Sequence, residues 1–375
     1  MKPILFRKTS ILFILSVISL AIDCKFPYQP EPFVMPSLPP DRYLFPSKTD
    51  ITAFVGTSSV KLTFTLKDNG PSSVYFYDYS ASDPSMSRLK RSSDMGASNE
   101  DSPLISPDGS FVTYYLAQGV NSAGAYIQRL DTNAAPVLID AKGAEPHWWK
   151  DNADNLYVIY SDAVLLPSLT IGAGKTYRQK VSLAGNGSVV GTPEEIAPYP
   201  LNGGLSHDGT TLCTGYIYAA FFDVPSQTLT PINSGYQVCN PSITPDPTRS
   251  DLMMFLNFKG PQNLNNPFKD SADYPRISGD TIAEHTVLFI VDKTNTVRDF
   301  VPLSLMDSHY QEWQTPEWSN QPGFAAAEAV ISESETDGVI IKNIGSRAIP
   351  KENLVFTLGA GKLDYRSTPS VWIGN

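Results

Sequence analysis

The chain has 375 residues, of which 41% are hydrophobic, 11% aromatic and 18% charged, and its formal net charge at pH 7 is −10. This composition belongs to a folded chain with a sizeable core and excludes disorder over most of the sequence. The acidic excess also excludes a general nucleic-acid binder, because such a protein needs a basic face to meet phosphates.

Residues 1–23 are predicted to be a signal peptide. Three basic residues occupy the first eight positions, and an apolar stretch runs from Ile11 to Ala21. That stretch is too short to span a bilayer and fits the hydrophobic region of a secretory signal. Cleavage after Ala21 and lipidation of Cys24 both remain open, although Asp23 departs from the small residue usual before a lipidated cysteine. We expect an exported protein in the periplasm, or at the outer membrane or cell surface, of a Gram-negative bacterium, with membrane contact only through such an anchor.

Residues 24–56 are predicted to form a spacer or strap. Seven prolines lie between residues 25 and 50, and proline removes backbone donors and favours extended conformations. Aromatic residues between the prolines indicate that part of this segment docks on the folded body.

From residue 57 onward the sequence predicts an all-β protein. Short alternating or β-branched runs, such as VKLTFTL at 60–66 and HTVLFIVD at 285–292, are separated by clusters of Gly, Pro, Asn, Asp and Ser. This pattern is typical of many short strands joined by turns.

A repeat emerges when these strands are aligned. PLISPDGSFVTYY, at 103–115, reads as a strand, a Pro-Asp-Gly turn and a second strand. Further copies begin at residues 146, 203, 241, 316 and 369. Each complete copy is followed by two more strands, so the repeat unit has four strands, as in a propeller blade.

The last copy, PSVWIGN at 369–375, has only its first strand, whereas residues 57–90 supply strands two, three and four without a first. The two segments are therefore predicted to share one blade and close a six-bladed ring, which leaves no unpaired edge at the junction. The repeats resemble those of TolB-type six-bladed β-propellers (PD40 or WD40-like repeats). This resemblance implies one propeller over 57–375 and a place in the cell envelope, and it names no partner.

Enzyme signatures are not found. GxSxG does not occur, GAGKTY at 172–177 lacks the spacing of a phosphate loop, and four histidines without a Cys/His spacing predict no metal site. We expect no cofactor and favour binding over catalysis.

The predicted binding surface consists of aromatic, acidic and histidine side chains at inner-strand starts and in the loops of the same propeller face. These residues are Glu145, His147, Tyr199, Tyr236, Tyr274, His309, Trp313, Glu317 and Tyr365. Aromatic groups beside polar ones suit recognition of a peptide or a carbohydrate. We therefore expect a monomeric, non-catalytic scaffold for an envelope protein or peptide. Two alternatives are a propeller that binds or cleaves a polysaccharide, through Glu145, His147 and Glu317, and a structural part of an envelope assembly.

The chain has three cysteines. If Cys24 is lipidated or left out of consideration, Cys213 and Cys239 are the two that could pair. Because thiols tend to pair outside the cytoplasm, a Cys213–Cys239 disulfide is predicted, with two separate buried thiols as the alternative.

Overall fold

The computed structural model describes residues 44–67, 70–96, 98–118, 121–162, 174–215, 218–258, 260, 262–275, 282–332, 335–357 and 368–374. Cys24, Tyr365 and the predicted signal peptide lie outside the described residues.

Within these ranges the chain forms short β-strands, one α-helix and two short 3-10 helices. The helix, α1, spans Lys48–Val55, and the 3-10 helices span Ser93–Met95 and Leu303–Leu305. The strands in chain order are β1 (Val60–Lys67), β2 (Ser72–Asp78), β3 (Met86–Arg88), β4 (Asn99–Ile105), β5 (Phe111–Gln118), β6 (Asn121–Arg129), β7 (Val137–Asp140), β8 (Ala144–Lys150), β9 (Leu156–Ser161), β10 (Thr176–Ser182), β11 (Ser188–Val189), β12 (Glu194–Ala197), β13 (Thr211–Gly215), β14 (Ala219–Asp223), β15 (Thr228–Ile232), β16 (Val238–Ile243), β17 (Leu252–Asn257), β18 (Val287–Asp292), β19 (Val297–Pro302), β20 (Glu312–Trp318), β21 (Phe324–Ser332), β22 (Glu335–Lys342), β23 (Glu352–Thr357) and β24 (Ser370–Ile373).

The strands form six antiparallel sheets, which we number as blades 1 to 6. Blade 1 has the order β24-β1-β2-β3, blade 2 is β4 to β7, blade 5 is β16 to β19 and blade 6 is β20 to β23. In blade 3, β8, β9 and β10 are followed by two short segments, β11 and β12, which both pair with β10. The predicted six blades are confirmed.

Blade 4 departs from the regular four strands. Its strands β13, β14 and β15 are joined by an irregular inner segment through a bridge between Leu205 and Leu212. That segment contains Gly204 at φ +82°, a left-handed conformation that interrupts a regular strand.

The predicted ring closure is also confirmed. Strand β24 pairs with β1 in antiparallel register, with Val60 opposite Ile373 and Thr63 opposite Ser370. The last strand of the chain is therefore the inner strand of the first blade.

Six apolar clusters fill the six interfaces between neighbouring blades. Each cluster joins side chains of two adjacent sheets, as blades 5 and 6 do around Trp313, and blades 6 and 1 around Phe64 and Phe356. Successive side chains of a strand point to opposite faces of its sheet, so each blade contributes to the interfaces on both of its sides. The core is therefore distributed around the ring.

Three half-buried tryptophans on inner strands link neighbouring blades. Trp148 donates its indole N–H to the carbonyl of Leu104 at 2.8 Å, and Trp318 donates to that of Ser242 at 3.0 Å. Trp372 donates to Pro107 at 2.9 Å. Each pairs apolar burial with a satisfied indole donor.

The end of the predicted spacer packs on the propeller. Phe45 stacks on Tyr77 with ring centroids 4.3 Å apart, and Leu44 exchanges backbone hydrogen bonds of 3.2 and 3.0 Å with Thr357. Helix α1 follows and places the fully buried Ile51 in the cluster between blades 6 and 1. The folded body therefore includes residues ahead of position 57.

The Cys213–Cys239 disulfide prediction is wrong. Cys213 is a free, buried thiol in the interface between blades 4 and 5, where its Sγ lies 3.2 Å from the carbonyl oxygen of Gly203. Cys239 faces the next interface, between blades 5 and 6. The two side chains thus lie on opposite sides of blade 5.

Among the residues described above, no helix is both long and apolar enough to cross a membrane.

Candidate functional site: a polar pair across the channel

The inner strands share a bulge that places one residue of each blade at the same level of the ring. In five inner segments a residue with positive φ precedes a proline: Ser102, Glu145, Asn240, Thr315 and Thr368. The bulge shifts the strand register; in β4, β8, β16 and β20 regular pairing resumes at the residue after the proline. We call the residues that directly follow these prolines, together with the corresponding residue of blade 4, the channel ring. They are Leu104, His147, Gly204, Ser242, Glu317 and Ser370.

Two channel-ring residues from opposite sides of the propeller meet. His147 of blade 3 and Glu317 of blade 6 have Nε2 and Oε2 3.7 Å apart, and their side chains are only 14% and 20% exposed. Blades 3 and 6 lie three positions apart in a ring of six, so this contact crosses the central channel. Ser242 of blade 5 donates its hydroxyl to Oε2 of Glu317 at 2.8 Å.

The backbone of its own strand and a glycine of the next blade orient the imidazole of His147. Nδ1 lies 3.1 Å from the carbonyl oxygen of Glu145 and donates its N–H there, because a carbonyl can only accept. The ring packs against Gly204, where a Cβ would lie 3.1 Å from Cδ2 of His147. Any larger residue at position 204 would crowd the ring.

The pKa of His147 is raised above its ordinary value. Burial by itself lowers the pKa of the imidazole, but the nearby carboxylate of Glu317, together with the carbonyl and the charge of Glu145, outweighs that effect. The carboxylate of Glu317 therefore favours the protonated form of the imidazole more than water does.

The predicted binding residues divide by exposure. Trp313 is fully buried between blades 5 and 6, so a ligand on the surface does not reach its ring. Tyr274 meets Phe300 edge-on at 5.3 Å, and Tyr199 meets Phe222 at 5.8 Å. Both tyrosines are half-buried and their rings help to pack the blades.

The remaining predicted residues reach the surface to different degrees. His309 is exposed, and its ring lies at 35° to that of Tyr310 with centroids 4.1 Å apart. Tyr236 and Glu145 are half-buried. Tyr365 lies outside the described residues.

A second buried polar contact, in blade 6, was not predicted from the sequence. Tyr310 donates its hydroxyl to Oδ2 of Asp337 at 2.7 Å, and both residues are buried. Burial raises the pKa of both groups, and the carboxylate of Asp337 raises the pKa of Tyr310 further. No motif marks this pair, because Tyr310 lies in the loop before β20 and Asp337 lies on β22, and the two meet only in the folded blade.

Over the described part of the chain, no group of three or more His, Cys, Asp or Glu side chains is arranged to hold a metal ion. A separate cleft of about 260 Å³ lies away from the channel, between the outer strands of blade 4 and Lys293 of blade 5. It is lined mainly by hydroxyl groups, which include those of Thr228 and Thr230.

The ring of six sheets closed by β24 on β1 defines the class of the protein, a six-bladed β-propeller. No protein-family model matches the sequence, and no curated protein matches it. Solved structures with a similar arrangement include TolB from Acinetobacter baumannii, with a TM-score of 0.49 and 11% identity over 86% of this chain and 70% of that one. Hydrazine synthase from Kuenenia stuttgartiensis is similar with a TM-score of 0.46 and 10% identity, over 92% of this chain and 52% of that one. The propeller domain of the Trilobed protease from Pyrococcus furiosus follows with a TM-score of 0.38 and 11% identity, over 82% of this chain and 95% of that one.

Proposed function

We propose that the protein is a non-catalytic binding scaffold of the bacterial cell envelope. In this proposal a protein or peptide partner binds the entry face, defined here as the end of the ring that carries Glu145, Tyr236 and His309 at or near the starts of inner strands. The N-terminal segment exports the chain and, if Cys24 is lipidated, tethers it to a membrane.

The observation that carries this proposal is that the carboxylate at the centre is engaged within the ring. Oε2 of Glu317 accepts a hydrogen bond from Ser242 and lies 3.7 Å from Nε2 of His147, and Nδ1 of His147 donates to the carbonyl of Glu145. General acid–base catalysis needs titratable groups within reach of a substrate bond, whereas a rigid closed ring with aromatic and polar groups on one face suits recognition.

Site-specific photo-crosslinking tests the proposal. A crosslinking amino acid replaces His309 on the entry face. In a matched variant it replaces His207, which lies in the turn between the inner segment of blade 4 and β13, at the opposite end of that segment. We expect one protein partner from envelope extract to crosslink at position 309 and not at position 207. Equal crosslinking at both positions, or at neither, would contradict a binding role for this face.

The carbohydrate-active alternative is favoured by one observation: Nε2 of His147 is buried without a hydrogen-bond partner among the described residues, 3.7 Å from the carboxylate of Glu317. A glycan array with the wild-type protein and the Glu317→Gln variant separates the two functions. Glycan binding or cleavage that the variant loses would support the alternative, whereas a partner crosslinked at position 309 and unaffected by the variant supports the scaffold. A protein that only co-sediments with an envelope assembly, without either result, would fit the structural role.

A further inference from the structure

One polar cluster joins four of the six blades at a single level of the channel. His147 comes from blade 3, Gly204 from blade 4, Ser242 from blade 5 and Glu317 from blade 6. Each apolar cluster between the blades joins two neighbouring sheets, whereas this cluster connects blades on opposite sides of the ring.

We propose that His147 and Glu317 form a proton-dependent latch across the central channel. With both imidazole nitrogens protonated, the pair ties blade 3 to blade 6 and narrows the channel at this level. Loss of one imidazole proton releases the tie and lets the two inner strands move apart.

The hydrogen bonds of the His147 imidazole explain why the latch depends on a proton. Because Nδ1–H of His147 is donated to the carbonyl of Glu145, the neutral imidazole presents the lone pair of Nε2 to the carboxylate of Glu317. Two acceptors then face each other. The protonated ring instead presents an N–H to the carboxylate, which makes the contact attractive and charge-assisted once it shortens from 3.7 Å to hydrogen-bond distance.

The other groups around the imidazole do not reverse this dependence. Glu145 on β8 adds negative charge that also favours the protonated ring. Ser242 on β16 and Gly204 carry no charge. The buried thiol of Cys213 on β13 has its pKa raised well above the ordinary value, first by desolvation and then by the charge of Glu317, so it stays neutral while the latch titrates.

The direction of the pH dependence follows from the raised pKa of His147. A group with a raised pKa in the folded state contributes stability that is complete below its unfolded pKa, about 6.5 for histidine, and that is lost as the pH rises through the folded pKa. The latch is therefore closed at mildly acidic pH and opens toward alkaline pH.

Two measurements on the full mature chain test the latch. Histidine ring signals are followed by NMR from pH 5 to 9, with His147 assigned by its loss in the His147→Gln variant. We expect a midpoint above that of a free histidine, about 6.5, and a lower midpoint in the Glu317→Gln variant. A midpoint at or below the free value in the wild type would overturn the proposal, and this reading does not depend on the variant folding.

Backbone hydrogen exchange supplies the conformational readout. After correction for intrinsic rates, protection of β8 and β20 should fall between pH 6 and pH 8.5 in the wild type and should be low at both pH values in Glu317→Gln. The matched His309→Gln variant, which removes an exposed histidine, should behave like the wild type. Protection that does not change with pH in the wild type would show that the contact is not a latch.

Discussion

At the scale of single residues, two turn glycines fit tryptophans of the neighbouring blade. Gly109 has φ +73°, and a Cβ built there would lie 2.5 Å from Cε2 of Trp372. Gly209 has φ +74°, and a Cβ there would lie 2.7 Å from Cζ2 of Trp149. The Asp-Gly turn thus serves two needs: it reverses the chain, and it leaves room for an indole ring from the next blade.

We expect Gly109→Ala to destabilise the protein by two separable effects. The left-handed backbone costs an alanine about 1–2 kcal/mol, and the clash with Trp372 adds about 1–3 kcal/mol as in an overpacked core. Gly191→Ala is the matched control, because Gly191 has the same φ of +73° but a Cβ at that position would meet no other atoms within 4 Å. Urea unfolding of both variants measures the difference. Equal losses of unfolding free energy would show that contact with Trp372 adds nothing.

At the scale of secondary-structure elements, α1 closes the seam between the first and last blades. Ser47 caps the helix and forms a reciprocal capping box with Asp50, and Gly56 ends it in the left-handed conformation. Lys342 of blade 6 donates to the carbonyl of Phe54, while Lys48 donates to the carbonyl of Ala81 in the connection between β2 and β3 of blade 1. The helix therefore bridges both sides of the seam.

Ile51→Ala should cost about 2–5 kcal/mol of unfolding free energy, the usual cost of emptying a fully buried aliphatic site. Thr49→Ala, on the exposed side of the same helix, should change stability by no more than about 0.5 kcal/mol. Both are measured by urea denaturation. If Ile51→Ala unfolds like the wild type, the helix is an appendage of the spacer and does not belong to the seam.

How far the sequence predicts the structure depends on the kind of element. The strands and the split blade follow from local alternation and from the repeated turn of PLISPDG, so they could be predicted. Helix α1 was not predicted, although Ile51, Phe54 and Val55 have the i, i+3, i+4 spacing of one helix face, because the helix has only eight residues and the prolines before it indicate an extended chain. The contact of His147 with Glu317 joins positions far apart in sequence, and it exists only because the ring closes. His147 and Glu317 could be selected as candidates from their chemical type. Their pairing, and their contacts with Ser242 and Gly204, could be recognised only from the structure, in which these residues lie at the same level of the channel.

At the scale of the whole molecule, stability depends on closing the ring. Without β24, strand β1 would expose its inner edge, and the apolar cluster between blades 6 and 1 would lose Val371 and Ile373. An open propeller with an unpaired edge is prone to pair with other chains. The remaining blades would also lose the constraint that holds opposite inner strands at a fixed distance.

Deleting the last eight residues should therefore lower the melting temperature of the entire propeller in one transition and promote association. Adding a synthetic peptide of residues 368–375 should restore part of that stability, because the strand supplies its pairing to β1 without a covalent link. A peptide in which Val371 and Ile373 are both replaced by Asp is the matched control and should not restore it, because it cannot bury its side chains in the cluster. Calorimetry gives the melting temperatures, and hydrogen exchange in blades 3 and 4 shows whether the far side of the ring loosens as well. A truncated chain that melts like the full one would refute closure by β24, while loosening confined to blade 1 would show that the six blades unfold independently.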